Sequence, residues 1–310
     1  MLARIGIIAF NTYREAVRAR VLYGLFGLAL ATAVYVLVVG AFAGRARLRV
    51  VSDLGAASIS IYAILVAIVL AATSLYRELE LKTLFPILAR PIRRSEYLVG
   101  KYLGTLLTLV VFVAANTGAL LLAIAEMAGR SALLCAGLGL GSVGLLAGAA
   151  ALLPRFRTAL PIFWSLSLLA LGVALSGGAP DDRRVLFGSA LLTVFEVGVV
   201  AAVATVFAAF SSPFLSAVFT LGVFVVGRSA DTLANLPVKM FGDTVRSLGE
   251  AVSRVFPNLM LYVPERPLLT GEAITTSLSR YLAFAGLYSL AWAVGLLAVA
   301  SLVFRRRDFS

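Results

Sequence analysis

Long apolar runs recur along this 310-residue chain, and they limit its possible folds more than any other feature. A helix needs about 20 predominantly apolar residues to cross the hydrocarbon core of a bilayer. A soluble domain could not bury a chain that is 61% hydrophobic and only 14% charged. We therefore expect an all-α polytopic membrane protein with about eight transmembrane helices. The predicted spans are 21–43, 56–75, 102–125, 131–153, 159–176, 186–209, 213–228 and 281–304.

The basic residues between these runs predict how the chain lies in the membrane. If the N-terminus is cytoplasmic, the cytoplasmic segments contain 15 Lys and Arg residues and the short outer loops contain six. This excess follows the positive-inside rule, so we expect both termini in the cytoplasm. The net charge of +12 then reflects loops beside anionic lipid headgroups. We expect no nucleic acid as a partner.

The chain has no histidine and a single cysteine, Cys135, which argues against a metal site or a histidine-based acid–base mechanism. The sequence also has no phosphate-binding loop, no zinc-protease motif and no dinucleotide fingerprint. We therefore expect no catalytic residue, no metal and no cofactor in this chain.

The first residues of the chain form an amphipathic pattern. At about 100° per residue, Arg4, Arg14 and Arg18 fall on one side of the helix, and apolar side chains cover the other. A basic, moderately apolar helix of this kind lies in the membrane interface. We expect such an elbow helix at 1–20, followed by a transmembrane domain at 21–310.

The long outer loop 229–280 contains a second amphipathic pattern. Apolar residues recur at helical spacing from Phe241 to Phe256, and charged residues lie opposite them. Two of these charged residues, Glu250 and Arg254, are four positions apart, which favours an ion pair along a helix. The pattern predicts an outer amphipathic helix that is interfacial or re-entrant. A lid that merely covers loop backbone is the alternative.

The segment 76–101 is a polar island between two apolar runs, and it contains six Lys or Arg residues. Pro86 and Pro91 interrupt a helix that continues from the second span, and Arg93 and Arg94 begin a new one. This pattern predicts a helix–turn–helix elbow that projects into the cytoplasm. By composition alone the island would be an ordinary basic loop.

The order of residues in this island resembles the signature of the membrane subunits of type 2 ABC exporters. Three further segments resemble motifs of that family at the corresponding places: Thr12–Arg18, Phe256–Leu259 and Phe304–Phe309. The resemblance therefore covers both ends and the middle of the chain. The matching residues of the island are Glu80 (or Glu78), Thr83, Pro91, Ile92, Arg94, Glu96, Tyr97, Gly100 and Lys101.

The resemblance implies a non-catalytic permease subunit of an ABC transporter, an exporter in the bacterial cytoplasmic (inner) membrane. ATP and Mg²⁺ would be bound by a separate ABC ATPase subunit. Two permeases would form the pathway, either as a homodimer or with a homologous permease, in contact with membrane lipid. The elbow would contain the coupling helix that docks on the ATPase. The coupling residues would be Glu78, Glu80, Lys82, Thr83, Arg90, Pro91, Arg93, Arg94, Glu96, Tyr97 and Lys101.

The number of spans departs from this family, whose permeases usually have six. The surplus pair is a candidate inserted hairpin at 131–176, which leaves the orientation of the later spans unchanged. Its first helix contains Gly137 and Gly141, then Gly144 and Gly148, at a spacing that allows close helix packing. Contact with the permease core, a partner or the substrate path is one interpretation. Small residues are also simply common in membrane helices.

Glu196 is the one ionisable residue that falls well inside an apolar run. A charge at mid-bilayer costs about 2.5 kcal/mol or more, so such a residue faces protein or water, or stays protonated. Glu196 could therefore belong to the pathway or to a dimer interface. A protonated carboxyl that is hydrogen-bonded to a neighbouring helix is the alternative.

Two other functions remain open at this point. A membrane anchor or assembly protein could use the same elbow to recruit a cytosolic partner without moving a substrate. A secondary transporter is a further option, which the scarcity of charges within the spans and the lack of a visible inverted repeat weaken.

Overall fold

The computed structural model describes residues 2–18, 20–80, 93–236, 238–272 and 277–305. Within these ranges the chain forms twelve α-helices and no strand. A bilayer offers no hydrogen-bond partners to backbone groups, so apolar spans satisfy them internally as helices. The helices are α1 Leu2–Arg18, α2 Arg20–Phe42, α3 Arg47–Glu80, α4 Arg94–Met127, α5 Ala132–Leu152, α6 Leu160–Leu175, α7 Pro180–Ala208, α8 Pro213–Arg228, α9 Ala230–Ala234, α10 Val238–Val255, α11 Arg266–Thr270 and α12 Leu278–Arg305.

Seven helices in the described part of the chain are long and apolar enough to cross a membrane, which confirms a polytopic all-α membrane protein. The seventh predicted span, 213–228, is an apolar helix with those bounds, but α8 has only 16 residues. At 1.5 Å per residue it is about 24 Å long, shorter than a hydrocarbon core of about 30 Å. The seventh of the eight predicted crossings is therefore incomplete.

Helices α3 and α4 extend well beyond the apolar runs from which they were predicted. Each has 34 residues, because no proline interrupts the polar turns at its ends. Helix α4 joins the predicted start at Arg94 to the whole third span. At about 1.5 Å per residue, 34 residues give a length of about 51 Å, which exceeds the thickness of a bilayer including its headgroups.

The core of the bundle consists of α3, α4 and α7, whose apolar residues are mostly buried. Helix α12 packs on α7, where the Ser289 hydroxyl donates a 2.8 Å hydrogen bond to the carbonyl oxygen of Phe195. Helices α2 and α5 lie at the periphery and expose large apolar side chains, as membrane-facing helices do.

A small apolar cluster shows which helix ends meet. Tyr97 and Leu98 in the first turns of α4 pack against Ala208 and Ala209 at the end of α7, and against Phe304 at the end of α12. Helix α1 also packs on the first turns of α4. The N-terminal helix and the end of the last helix therefore lie at one end of the bundle, which we call the α1 end, and the opposite end is the far end.

The two helices of the predicted insertion pack very differently. Helix α6 lies close against α4, because a Cβ at Gly118 or Gly172 would be within 2.8 Å of backbone atoms of the facing helix. In contrast, a Cβ at four of the five glycines of α5 would meet nothing within 4 Å. The glycines that the sequence singled out thus do not contact the core of this chain, and the close approach occurs on the other helix. The four open glycines are Gly137, Gly141, Gly144 and Gly148.

Helix α10 confirms the amphipathic helix predicted in the long loop. Gly249 packs against the carbonyl oxygen of Leu233, which joins α10 to α9. The apolar side chains of Val245, Leu248 and Val255 are exposed. The chain bends at Gly242, whose φ of 78° lies in the left-handed region that glycine tolerates.

Candidate functional site

A charged pair lies in the middle of the bundle, between α7 and α8. Arg228 donates from Nε to Oε1 of Glu196 at 2.7 Å and from Nη2 to Oε2 at 2.9 Å. Ser60 on α3 completes the group, since its hydroxyl donates to Glu196 Oε2 at 3.3 Å and accepts from Arg228 Nη2 at 3.2 Å. The Glu196 side chain is only 1% exposed. Three helices thus share one buried polar contact.

The hairpin of α7 and α8 places these two charges at the same depth. Glu196 and Arg228 lie 16 residues on either side of Ser212. The Ser212 hydroxyl caps α8 by accepting from the backbone N–H of Leu215, and Pro213 occupies the first turn, where its missing N–H costs nothing. Because α8 is short, its last residue reaches only the level of mid-α7.

The pair lowers the cost of burying either charge alone. An unpaired ionised carboxylate in a low-dielectric interior is strongly unfavourable, whereas a bidentate arginine partner offsets that cost through charge and geometry. The Arg228 guanidinium also lies 5.6 Å from the centre of the Phe224 ring. Arg228 is thereby held on two sides, by a carboxylate and by an aromatic face.

A cavity of about 570 Å³ opens beside this pair, between α3, α7, α8 and the segment that leads to α11. Ser60 and Arg228 lie at one end of it, and Asp53 and Arg266 lie at the other. Its walls between these polar ends are mainly apolar. They include Ala56, Ala57, Ile61, Ile64, Val185, Phe224, Val263, Pro264 and Leu269.

A second charged cluster closes the end of this cavity that lies opposite Ser60 and Arg228. Arg266 on α11 donates to Asp182 Oδ1 at 2.6 Å and also pairs with Asp53. The Ser52 hydroxyl donates to Asp182 Oδ1 at 2.8 Å and accepts from Arg266 at 3.1 Å. Burial acts to lower the pKa of Arg266, but its contacts with the two carboxylates raise the pKa above the usual value. The cluster fixes α11 against the starts of α3 and α7.

Lys101 forms a third polar contact, at the α1 end. Its side chain is 6% exposed, and Nζ lies 3.5 Å from Glu15 Oε2 on α1. Nζ also donates to the carbonyl oxygen and the hydroxyl of Ser74 on α3, at 3.4 and 3.3 Å. The ring of Tyr97 lies 5.9 Å from the same atom. Lys101 therefore links α1, α3 and α4.

Two glycines allow α1 to lie directly on α4. A Cβ at Gly100 would be 2.7 Å from Ile8, and a Cβ at Gly104 would collide with the carbonyl oxygen of Ala9. Any side chain at Gly104 would therefore separate the two backbones. The spacing of four residues puts both glycines on one face of α4, the face that α1 covers.

The remaining predicted coupling residues divide into three groups. Arg94 donates to the carbonyl oxygen of Phe304 at 3.1 Å, and Glu96 and Tyr97 are buried beside it, whereas Arg93 is exposed. The next group, Glu78 and Glu80, lies in the last turn of α3. The last group lies outside the described residues, and it comprises Lys82, Thr83, Arg90 and Pro91.

The predicted elbow helix is present as α1, and Arg4, Arg14 and Arg18 lie on its exposed side. Its opposite side packs on α4, where Tyr13 is fully buried. Burial raises the pKa of the Tyr13 hydroxyl, with a smaller contribution from Tyr23.

Sequence reasoning found Glu196 but missed its partner and the whole far-end cluster. The predicted span 213–228 places Arg228 only at the edge of a membrane helix. Its position could have been inferred, because a tight turn at Ser212 places residues that are equally far from it side by side. No comparable signal pointed to Arg266 and Asp182, which are 84 positions apart.

Comparison with known proteins gives one match. The family model described as ABC-2 family transporter protein matches residues 8–309, nearly the whole chain. No curated protein matches it.

Proposed function

The chain belongs to the ABC-2 transporter family and is thus a membrane-spanning permease component, and from this premise we propose that it is part of an exporter. Permease components of this kind work with an ABC ATPase. In this proposal a separate ATPase chain binds ATP and Mg²⁺ and docks on the elbow 76–101. Closure of the ATPases moves the elbow, and the movement opens a pathway across the membrane.

The observation that carries the proposal is the position of α3. This one helix contributes Ser74 to the Lys101 contact, Ser60 to the Glu196–Arg228 pair and Ser52 to the Arg266 cluster. Ser74 and Ser60 are 14 residues apart, which is about 21 Å along a helix. A push on the α1 end of α3 would therefore act on the cavity walls directly.

Helix α1 fits the same role. It rests on α4 at the two glycines and is tied to Lys101 through Glu15. Because Lys101 also holds α3, a displacement at the elbow would move α1, α3 and α4 together. We propose that α1 lies in the cytoplasmic interface of the bacterial inner membrane, with both chain termini in the cytoplasm, as the charge asymmetry favours.

We further propose that Glu196 acts at the substrate pathway, next to the cavity of about 570 Å³. Two permeases would form the complete pathway, and a homodimer is the simpler arrangement. A membrane anchor would need the elbow but would have no use for a cavity bounded by two ion-paired arginines. The cavity therefore favours transport over anchoring.

An accessibility experiment tests this coupling without knowledge of the substrate. Ala57 is exposed and lines the cavity, so Ala57→Cys in a Cys135→Ser background gives one reporter thiol. With the partner ATPase bound, ATP is expected to change the rate at which a membrane-permeant maleimide labels this thiol. Lys101→Met should abolish the change while the ATPase still co-purifies, because the contact between α1 and α3 is lost.

Arg18→Gln is the matched control, since it removes an exposed cation from α1 that faces away from α4. It should leave the ATP-dependent change intact. A labelling rate that ATP never alters would support the membrane anchor instead. A full response in Lys101→Met would contradict the coupling role of this contact.

A further inference from the structure

A second cavity lies on the opposite side of α4 from the charged pair. It is a groove of about 520 Å³ between α2 and the hairpin of α5 and α6, with α4 as its floor. Nearly all of its lining is apolar. The lining includes Phe26, Leu30, Leu37, Ala115, Ala119, Ala123, Leu140, Val143, Trp164 and Leu168.

The groove has the depth of one bilayer leaflet. Ala115, Ala119 and Ala123 form a smooth floor along one face of α4, and Glu126 lies at its far end. The eleven helical steps from Ala115 to Glu126 cover about 16 Å, close to half of a hydrocarbon core of about 30 Å. The groove thus extends from the far end of the bundle to the middle of the membrane.

Aromatic side chains close the groove at its inner end. The rings of Phe26 and Trp164 meet edge to face at 6.4 Å between centroids. Trp164 is fixed there, because its indole N–H donates to the Ser142 hydroxyl at 3.2 Å. The result is a slot that is open towards one membrane surface and closed at mid-bilayer.

Charged side chains surround the open end. Arg47 donates to the carbonyl oxygen of Met127 at 2.7 Å, next to Glu126. Arg130 lies two positions before Ala132 in the chain, and both Ala132 and Glu126 line the groove. The mouth therefore has Glu126 in its lining, with Arg47 and Arg130 in the chain segments beside it.

We propose that this groove binds a phospholipid from the leaflet at the far end. One acyl chain fills the slot on the alanine floor, and the lipid phosphate binds Arg47 and Arg130. Guanidinium groups match phosphate oxygens in charge and geometry, and basic residues between transmembrane helices are suited to lipid headgroups. The lipid joins α2 to the hairpin. This inference rests on the membrane placement of the helices and does not depend on transport or on an ATPase.

Native mass spectrometry of the purified full-length chain tests the proposal. The probes are dioleoylphosphatidylglycerol and dioleoylglycerol, which share acyl chains and differ by the phosphate. We expect one phosphatidylglycerol per chain to survive detergent removal, and no dioleoylglycerol. Arg47→Gln and Arg130→Gln should each lower retention about fivefold, as expected for one basic residue near a lipid phosphate. Ala119→Phe should abolish retention by filling the slot.

Arg45→Gln and Gly141→Phe are the matched controls. Arg45 is an exposed cation two residues before Arg47, and Gly141 faces away from the groove on α5. Both should retain the lipid. Equal retention of the two probes would overturn the phosphate assignment, and unchanged retention in Ala119→Phe and in both arginine variants would overturn the site. The rim variants keep the test decisive if Ala119→Phe fails to fold, because Arg47 and Arg130 are exposed.

Discussion

Two Glu–Arg pairs in this protein have nearly the same closest distance in opposite surroundings. Glu196 Oε1 lies 2.7 Å from Arg228 Nε, and Glu250 Oε1 lies 2.6 Å from Arg254 Nη2. The first glutamate side chain is 1% exposed and the second is 45% exposed. The first pair joins two membrane helices, whereas the second lies within one turn of α10.

The difference shows that distance does not determine the contribution of an ion pair to stability. Water solvates Glu250 equally well with or without Arg254, so the exposed pair gains little. Glu196 has no such alternative, because it is 1% exposed and loss of Arg228 would leave it with the weaker hydrogen bond from the Ser60 hydroxyl. The packing of α8 therefore depends on the buried pair. Helix α10, in contrast, would form without the exposed pair.

Loss of one member of the buried pair is expected to have the largest effect. Arg228→Leu leaves Glu196 buried and unpaired, and breaking a buried pair in this way costs about 3–5 kcal/mol. The free energy of unfolding should fall by that amount. Thermal unfolding of the purified protein in detergent, followed by tryptophan fluorescence, measures the loss, and size-exclusion chromatography gives the folded fraction.

The double variant Glu196→Leu/Arg228→Leu separates charge from packing. It removes both charges and keeps side chains of useful volume, and such replacements of a buried pair are often neutral in stability. We expect it to recover most of the stability that Arg228→Leu loses. If the double variant is as unstable as the single one, packing at these positions, and not an unpaired charge, holds α8 in place.

The helices of this protein are largely predictable from the sequence, whereas most contacts between the helices are not. The bilayer forces each long apolar run into a helix, so all seven complete crossings were expected from hydropathy. That α8 is too short to cross follows from its position between Pro213 and Arg228. Its function as one side of a buried pair depends on relative depth, which a single apolar run does not encode.

The Arg266 cluster is expected to give an intermediate effect, because its burial is intermediate. The side chains of Arg266 and Asp182 are 20% and 13% exposed, whereas Asp53 is 43% exposed. Asp182→Asn should lower the free energy of unfolding by about 1–3 kcal/mol, the range for weakening a buried charged hydrogen bond. Asp53→Asn, the matched change at the exposed carboxylate, should lower it by less than about 1 kcal/mol.

Thermal unfolding of the two variants in the same detergent checks this order. Equal losses would mean that Arg266 depends on the total charge around it and not on the burial of each partner. A larger loss of unfolding free energy for Asp53→Asn would contradict the conclusion that burial determines how much an ion pair contributes to stability.

The candidate site was only partly predictable for a related reason. The elbow helix that contains Glu15 and the polar island that contains Lys101 are each predictable from local patterns. Their contact spans 86 positions and depends on Gly100 and Gly104, which let two backbones approach. Helical periodicity predicts which face a residue occupies, but it carries no information about which helix will cover that face.

The exposed pair on α10 is expected to give the smallest effect, and it completes the comparison. An exposed i,i+4 pair contributes about 0.3–0.5 kcal/mol, so Glu250→Gln should lower the free energy of unfolding by no more than that. A double-mutant cycle of Glu250→Gln and Arg254→Gln, set beside the cycle for Glu196 and Arg228, compares the two coupling energies directly. A coupling at α10 as large as that of the buried pair would show that the apolar face of α10 is covered in the membrane and that its charges are no longer free to meet water.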